Sequence, residues 1–111
     1  MRFATLLLAA VAACTYVDAT TTPYVGVPSY ARTDPDKVQV LAAEPRQRFE
    51  RLGEVFVRAS MEPAATRDEI EARLREEAAK WGADAVYVVQ DFAIARERER
   101  KLVGIAVRYV K

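Results

Sequence analysis

Residues 66–92 read TRDEIEARLREEAAKWGADAVYVVQDF, a stretch that opens with a helix start signal and closes in a strand. Thr66 and Glu69 have the spacing of a capping box, in which the Thr hydroxyl accepts the Glu backbone N–H and the Glu side chain reaches back. Apolar residues then recur at the period of one helix face: Ile70, Leu74, Ala78 and Trp81. Gly82 follows, the residue type that commonly ends a helix in the left-handed conformation. These signals predict a helix between Thr66 and Gly82.

A strand is predicted directly after this helix. Residues 85–89, AVYVV, are mostly β-branched or aromatic, and the run has the length of a strand. Only about two residues connect it to the helix, which is usual for such turns. The strand therefore packs close to the helix that precedes it.

Three further strands are predicted on either side of this unit. They cover Lys37–Leu41, Phe49–Ser60 and Leu102–Val110. Gly53 is expected to mark a bulge in the second of them. The charge run Arg96–Lys101 alternates basic and acidic residues, which favours a solvated hairpin turn over a basic contact for anionic lipid or glycan.

The predicted element order is β-β-α-β-β. We therefore expect an α+β fold, a two-layer sandwich of one mixed sheet with one helix on one face, formed by residues 37–111. The strand–helix–strand unit would be a right-handed crossover if its strands are parallel.

Composition excludes several classes of function. The 111 residues include 17 basic and 16 acidic residues, no His and one Cys. A balanced charge gives no support for nucleic-acid binding. A single Cys rules out an intramolecular disulfide, and without His the chain cannot supply a structural zinc site. No cofactor or metal is predicted, and because the usual nucleophile–base pairs are missing, we expect the protein not to be an enzyme.

Two acidic residues that flank the strand predicted at residues 85–89 lead to an alternative function. Asp84 and Asp91 point to opposite faces of a regular strand, and Asp84 is expected to cap the turn after the helix. Tyr87 and Asp91 share a face of a regular strand. A small ligand or substrate bound on this Tyr87/Asp91 face is therefore the alternative to a protein–protein interaction module.

The N-terminus is the most informative stretch for function. Arg2 precedes an uncharged, mostly apolar run from Phe3 to Ala13, about half of the ~20 residues that span a bilayer. Its length is that of a signal-peptide hydrophobic region. A short buried helix with a core Cys, or a plain secretory signal, are the alternatives.

Residues Val11-Ala12-Ala13-Cys14 resemble the bacterial lipobox. The resemblance implies that residues 1–13 are a lipoprotein signal peptide and that the Cys14 thiol receives a diacylglyceryl group, followed by cleavage before Cys14 and acylation of its amino group. Several acyl chains anchor a protein stably to a membrane. In such lipoproteins an Asp directly after the lipidated Cys marks retention in the inner membrane. This chain has Thr15 at that position, which implies the outer membrane, on its periplasmic side.

Residues 14–36 are predicted to be the lipidated Cys and a flexible Thr/Pro linker, because they include the run Thr20–Pro23 together with Pro28 and Pro35. About 20 flexible residues have a root-mean-square reach of roughly 25 Å. The aromatic residues of this segment could still dock part of it on the domain.

One helix covers one face of a sheet, so the other face needs its own cover. We expect the bulky set Val103, Ile105, Val107 and Tyr109 to lie under the helix. The smaller set would then lie on the open face: Ala85, Val89, Gly104, Ala106 and Val110. The linker around Tyr24–Tyr30, a second copy or another envelope protein are the candidates for its cover.

The helix, the opening Gly82-Ala-Asp-Ala-Val86 and the earlier Leu52-Gly53-Glu54-Val55 resemble a group of small bacterial envelope domains. The group includes the Rcs-type stress-sensor lipoproteins and the YbjQ-like domains. The resemblance implies the β-β-α-β-β order and sensing or binding in the periplasm. The disulfide of the stress sensor has no counterpart here, and no ligand cluster matches the heavy-metal binding ascribed to YbjQ-like domains.

Together these features predict a small outer-membrane lipoprotein that displays a non-enzymatic interaction or sensor domain. Its expected partners are the membrane, through the lipid anchor, and a protein or a second copy of itself.

Overall fold

A computed structural model describes residues 14–111. The signal peptide predicted for residues 1–13 lies outside these described residues. Five strands form one sheet and one α-helix packs against it: β1 Val17–Pro23, β2 Gln39–Leu41, β3 Phe49–Ser60, α1 Arg67–Lys80, β4 Ala85–Ile94 and β5 Glu99–Tyr109. A short 3-10 turn, Pro35–Lys37, precedes β2.

The sheet is mixed, as predicted. Its strand order is β1-β3-β5-β4-β2. β2 runs parallel to β4, whereas the other neighbouring strands are antiparallel. The α+β class with one mixed sheet and one α-helix is therefore confirmed for the described residues, but the element order is β-β-β-α-β-β and not β-β-α-β-β.

The additional strand corrects the prediction of a flexible linker over residues 14–36. Residues 17–23 pair with β3 along their whole length, from Val17 opposite Ala59 to Pro23 opposite Gly53. The Thr run is β-branched, which suits a strand, and Ala19 is buried against the core. The linker prediction was wrong because it rested on composition, and a Thr- and Pro-rich run is typical both of linkers and of edge strands.

The remainder of that segment also packs on the domain. Val27 and Tyr30 contact the main core. The Thr33 N–H donates to the Ala79 carbonyl at 3.0 Å, and the Thr33 hydroxyl donates to the Ala83 carbonyl at 2.6 Å. These bonds fix the chain around Thr33 to the C-terminal end of α1.

Helix α1 begins and ends as its signals predict. The Thr66 hydroxyl accepts the Glu69 N–H at 3.1 Å. In a capping box the Glu69 side chain would accept the Thr66 N–H in return. Here the Glu69 carboxylate accepts from the Thr15 hydroxyl instead, at 3.2 Å. At the other end the Gly82 N–H bonds the Ala79 carbonyl and the Ala83 N–H bonds the Ala78 carbonyl, a Schellman motif. Gly82 has φ +78°, which explains the glycine.

The main core lies between α1 and the sheet. Ile70, Leu74 and Ala78 are buried as predicted, whereas Trp81 is 37% exposed at the helix end. Burial of side chains such as Leu74 is the main source of stability, about 1.5–3 kcal/mol for each large aliphatic residue.

Glu77 interrupts the apolar face of the helix. It is buried, and its carboxylate accepts from the Thr21 hydroxyl at 2.9 Å and from Lys80 Nζ at 3.0 Å. A buried carboxylate needs such partners, so Glu77 ties β1 to the helix.

Candidate functional site

Cys14, the predicted lipidation residue, is exposed at the beginning of the described chain. Only Thr15 and Tyr16 separate it from β1. The apolar run that precedes it lies outside the described residues, so the lipid anchor stays a prediction. Among residues 14–111 there is no helix both long and apolar enough to cross a bilayer.

The two faces of β5 are the reverse of the prediction, whereas Ala85 of β4 lies on the open face as predicted. Leu102, Gly104 and Ala106 face the helix, whereas Ile105, Val107 and Tyr109 belong to a second cluster on the other face. The close contact at this position lies within the sheet. A Cβ on Gly104 would lie 2.8 Å from Val86 Cγ2 on the neighbouring strand β4, whereas Leu74 Cδ2 of the helix would be at an ordinary contact distance of 3.8 Å, so the glycine leaves room for Val86 on the helix side.

The second cluster occupies one half of the open face. Ala85, Tyr87 and Val107 are buried there, with four partly buried residues packed around them: Leu41, Phe49, Ile105 and Tyr109. β2 and β3 run in the same direction and are separated by β4 and β5, so residues 42–48 must cross the sheet.

Arg51 shows on which face residues 42–48 cross. Its guanidinium lies 5.1 Å above the Phe49 ring and donates to the Tyr87 hydroxyl at 3.2 Å and to Glu44 at 2.6 Å. Glu44 belongs to the crossing segment, which therefore passes over the open face. This segment is not among the three predicted covers, so the sequence analysis missed it. Of those three, the predicted linker does reach this face at Tyr24, which interacts electrostatically with Glu54 and Tyr87.

The other half of the open face carries an exposed apolar patch. Phe56 and Phe92 are 40% and 44% exposed, and Val103, which pairs with Phe56 on β5, lies between them. Phe92 pairs with Lys101, the next residue of β5 on this face. We call Phe56, Val103 and Phe92 the phenylalanine patch. The two exposed phenylalanines on adjoining rows make this half of the face a candidate contact surface.

The predicted Tyr87/Asp91 face does not exist. The register of β4 against β5 shifts between Val88 and Gln90, which leaves Val89 as a bulge. One extra residue reverses the alternation of the side chains, so Tyr87 lies on the open face and Asp91 on the helix side. Tyr87 is also buried beneath Arg51.

Asp91 lines a cleft between α1 and β4 instead. The cleft has a volume of about 430 Å³, with an apolar base that includes Ile70, Leu74 and Leu102. Its rim carries the ion pairs Arg67–Glu71, 3.2 Å, and Arg100–Asp91, 2.5 Å. It opens where β4 extends beyond β2, since β2 pairs only with residues 85–87.

The Arg100–Asp91 pair is bidentate, with N–O distances of 2.7 and 2.5 Å. The two hydrogen bonds from Arg100 hold the pKa of Asp91 below its ordinary value, against a smaller opposing effect of burial. A group whose pKa is lowered by folding stabilises the fold above its unfolded-state pKa, about 3.9 for Asp, and loses that contribution as the pH falls through the folded pKa.

This pair gives a pH prediction. Asp91→Asn should lower the free energy of unfolding near neutral pH by at most about 1 kcal/mol, because both side chains are over one-third exposed and screened by water. The difference from the wild type should shrink as the pH is lowered below 4. Urea denaturation of both proteins at neutral and acid pH measures it. An unchanged difference in acid would contradict the pairing.

Asp84 does not cap the turn after the helix. Its carboxylate accepts the Tyr109 N–H at 2.9 Å, which ties the end of β5 to the start of β4. A hairpin turn is confirmed, but it spans residues 95–98, where Arg98 takes φ 54°, and the second half of the predicted turn, residues 99–101, belongs to β5. Its charges pair locally, as in Arg98–Glu62, 3.6 Å, and Lys101–Glu97, 3.1 Å.

Among residues 14–111 no group of three acidic or Cys side chains is arranged to hold a metal ion. The phenylalanine patch and the cleft are the surfaces considered below as candidate binding sites.

Comparisons with known proteins add information on the fold. No protein-family model matches the chain, and no curated protein matches it. A crystal structure of the Francisella virulence factor FvfA is similar, with a TM-score of 0.60 over 82% of this chain and 97% of that chain. The two sequences are 16% identical, so the similarity shows the shared fold alone.

Sequence reasoning missed the phenylalanine patch because its residues lie on three different strands. Phe56 lies within the predicted strand Phe49–Ser60, but nothing in the sequence indicates which residues of neighbouring strands share its side. The bulge at Val89 carries no glycine or proline signal, so the position of Phe92 could not be derived.

Proposed function

We propose that this protein is a small lipoprotein of the bacterial outer membrane. Acyl groups on Cys14 would anchor it at the periplasmic face, and a non-enzymatic α+β domain would be presented to a protein partner. The lipobox-like Val11-Ala12-Ala13-Cys14 supports the anchor. The observation that carries the interaction role is the phenylalanine patch, since the domain covers the other half of that sheet face with its own chain.

The size of the patch favours a transient partner over a permanent dimer. A stable interface buries about 800 Å² on each partner, which is more than three side chains supply. Polar and charged residues border the patch, including Thr20, Arg58, Gln90 and Lys101, as expected of an interface rim. A partner would therefore be held by two aromatic anchors within a polar border.

In-cell photo-crosslinking tests this role. A photoreactive phenylalanine analogue at Phe56 or Phe92 should form an adduct with one protein species, and the same analogue at Glu76 on the outer face of α1 should not. A Phe92→Ser substitution should remove the adduct formed at position 56. Because Phe92 is 44% exposed, this change should alter the free energy of unfolding by less than about 1 kcal/mol.

Each result has a clear reading. An adduct of twice the chain mass identifies a second copy as the partner. Equal labelling at positions 56, 92 and 76, or no adduct at 56 and 92, would contradict the patch as an interaction surface.

A second candidate function is the binding of a small amphipathic ligand in the cleft. An apolar base with a few convergent polar groups is the usual form of a ligand site. The charged groups of its rim are already paired with one another, which favours the interaction role. Ligand binding would be sensitive to Leu102→Trp, which fills the cleft, whereas the patch adduct would be lost with Phe92→Ser.

A further inference from the structure

One end of the sheet carries both the attachment point and the tip of the domain. β1 begins at Val17 beside Ala59 of β3, and Ser60 pairs with Glu99 of β5. We call this the hairpin end. It comprises the turn at residues 95–98, the loop at residues 61–66 and the first turn of α1.

The two residues that follow Cys14 are fastened to the hairpin end. The Thr15 hydroxyl donates to Glu69 at 3.2 Å. The Tyr16 N–H donates to the Ser60 hydroxyl at 3.0 Å, and the Ser60 N–H donates back to the Tyr16 carbonyl at 3.0 Å. The Tyr16 hydroxyl donates to Glu99 at 2.7 Å, a bond that raises the pKa of Tyr16.

The attachment is therefore short. Even a fully extended chain from Cys14 to Val17 spans at most about 10 Å. A flexible linker of about 20 residues would have reached roughly 25 Å and let the domain turn freely. The hydrogen bonds of Thr15 and Tyr16 leave no such linker between Cys14 and the sheet.

We infer that the acylated protein rests directly on the phospholipid surface of its membrane in one orientation, with the hairpin end toward the lipid. This inference rests on the lipid anchor of the proposed function. The surface that contacts the hairpin end is the bilayer to which Cys14 is attached.

The surface of the hairpin end is compatible with contact to phospholipid headgroups. It carries exposed cations at Arg67, 88% exposed, and Arg98, 73% exposed, together with Arg96 in the turn. Acidic residues are interspersed with them: Glu62, Asp68 and Glu97. Mixed charge of this kind does not orient a protein by itself, so the short attachment sets the orientation.

The orientation limits what can reach the phenylalanine patch. Phe56 lies four residues before the end of β3, about 13 Å along the strand, and Phe92 is closer to the hairpin end. The patch therefore faces sideways just above the membrane surface. A partner that is embedded in or attached to the same membrane would therefore meet the patch side by side with this domain.

Fluorescence quenching from the lipid tests the orientation. Arg96→Cys places a label in the turn of the hairpin end, and Lys37→Cys places one at the opposite end, about 30 Å away along β4. Both replace exposed basic residues, and acylated Cys14 has no thiol to react. The membrane-extracted protein is reconstituted in phosphatidylethanolamine–phosphatidylglycerol vesicles that contain lipid spin-labelled at the headgroup.

We expect quenching several-fold stronger at position 96 than at position 37. A flexible Gly/Ser insertion of about 20 residues between Cys14 and Thr15 should remove this difference while the protein stays on the vesicles. Equal quenching at both positions without the insertion, or stronger quenching at 37, would overturn the orientation and leave the lipid anchor intact. Protein that carries no acyl group and fails to float with the vesicles would overturn the anchor, and this inference with it.

Discussion

Gly82→Ala is expected to lower the free energy of unfolding by about 2–4 kcal/mol. Two costs combine at this position. Gly82 has φ +78°, where a residue with a Cβ is strained by about 1 kcal/mol or more. The new Cβ would also lie 2.6 Å from Tyr30 Cβ and 2.8 Å from the Ala31 carbonyl oxygen, and relief of such overlap costs about 1–3 kcal/mol.

Gly26→Ala is the matched control. Gly26 also has a positive φ, +85°, but a Cβ there would meet nothing within 4 Å. Gly26→Ala should therefore lower the free energy of unfolding only by the backbone strain, about 1 kcal/mol. Urea denaturation of both variants separates strain from overlap. Equal losses would contradict the packing of residues 30–31 against the end of α1.

Ala19→Asp is expected to destabilise the protein by about 3 kcal/mol or more, because it places an unpaired carboxylate in the core between β1 and α1. Thr20→Asp, one residue on, puts the same charge on the exposed face of the same strand and should change the free energy of unfolding by about 0.5 kcal/mol.

Amide hydrogen exchange distinguishes the two ways in which Ala19→Asp can act. The variant can lose stability globally, or it can release β1 as an edge strand and expose the N–H groups of residues 17–23. Thr20→Asp should produce neither of these effects. If both substitutions were silent and residues 17–23 exchanged freely in the wild type, the segment would be a linker and the orientation inferred for the anchored domain would be lost.

The elements with local signals were predictable. The Thr66 hydroxyl, the helical period of Ile70 and Leu74 and the Gly82 stop define α1 within a few consecutive residues. The bounds of β3 and the bulge beside Gly53 also follow from alternation and a glycine. A Cβ on Gly53 would lie 2.7 Å from the Thr22 carbonyl, so this glycine also admits the close approach of β1.

The features that depend on contacts between distant segments were not predictable. Whether bulky or small residues of β5 face the helix depends on the neighbours that they meet there, such as Val86 of β4, which leaves no room for a Cβ on Gly104. The Glu77 carboxylate belongs to the charged face of α1 by sequence, yet Thr21 of β1 binds it in the interior.

The candidate site shows the same division. Cys14 and its context are a contiguous motif and could be proposed from sequence. The phenylalanine patch requires the bulge at Val89, which turns Phe92 to the open face, and the crossing segment 42–48, which covers one half of that face and leaves the other exposed.

The lipid anchor is the claim on which the proposed location, the orientation and the choice of partner depend. Mass spectrometry of the N-terminal peptide of the native protein, purified from its membrane fraction, tests it most directly. We predict a peptide that begins at Cys14 and carries a thioether-linked diacylglyceryl group and an amide-linked acyl chain. A peptide that begins at Met1 with an unmodified Cys14 thiol would contradict the account.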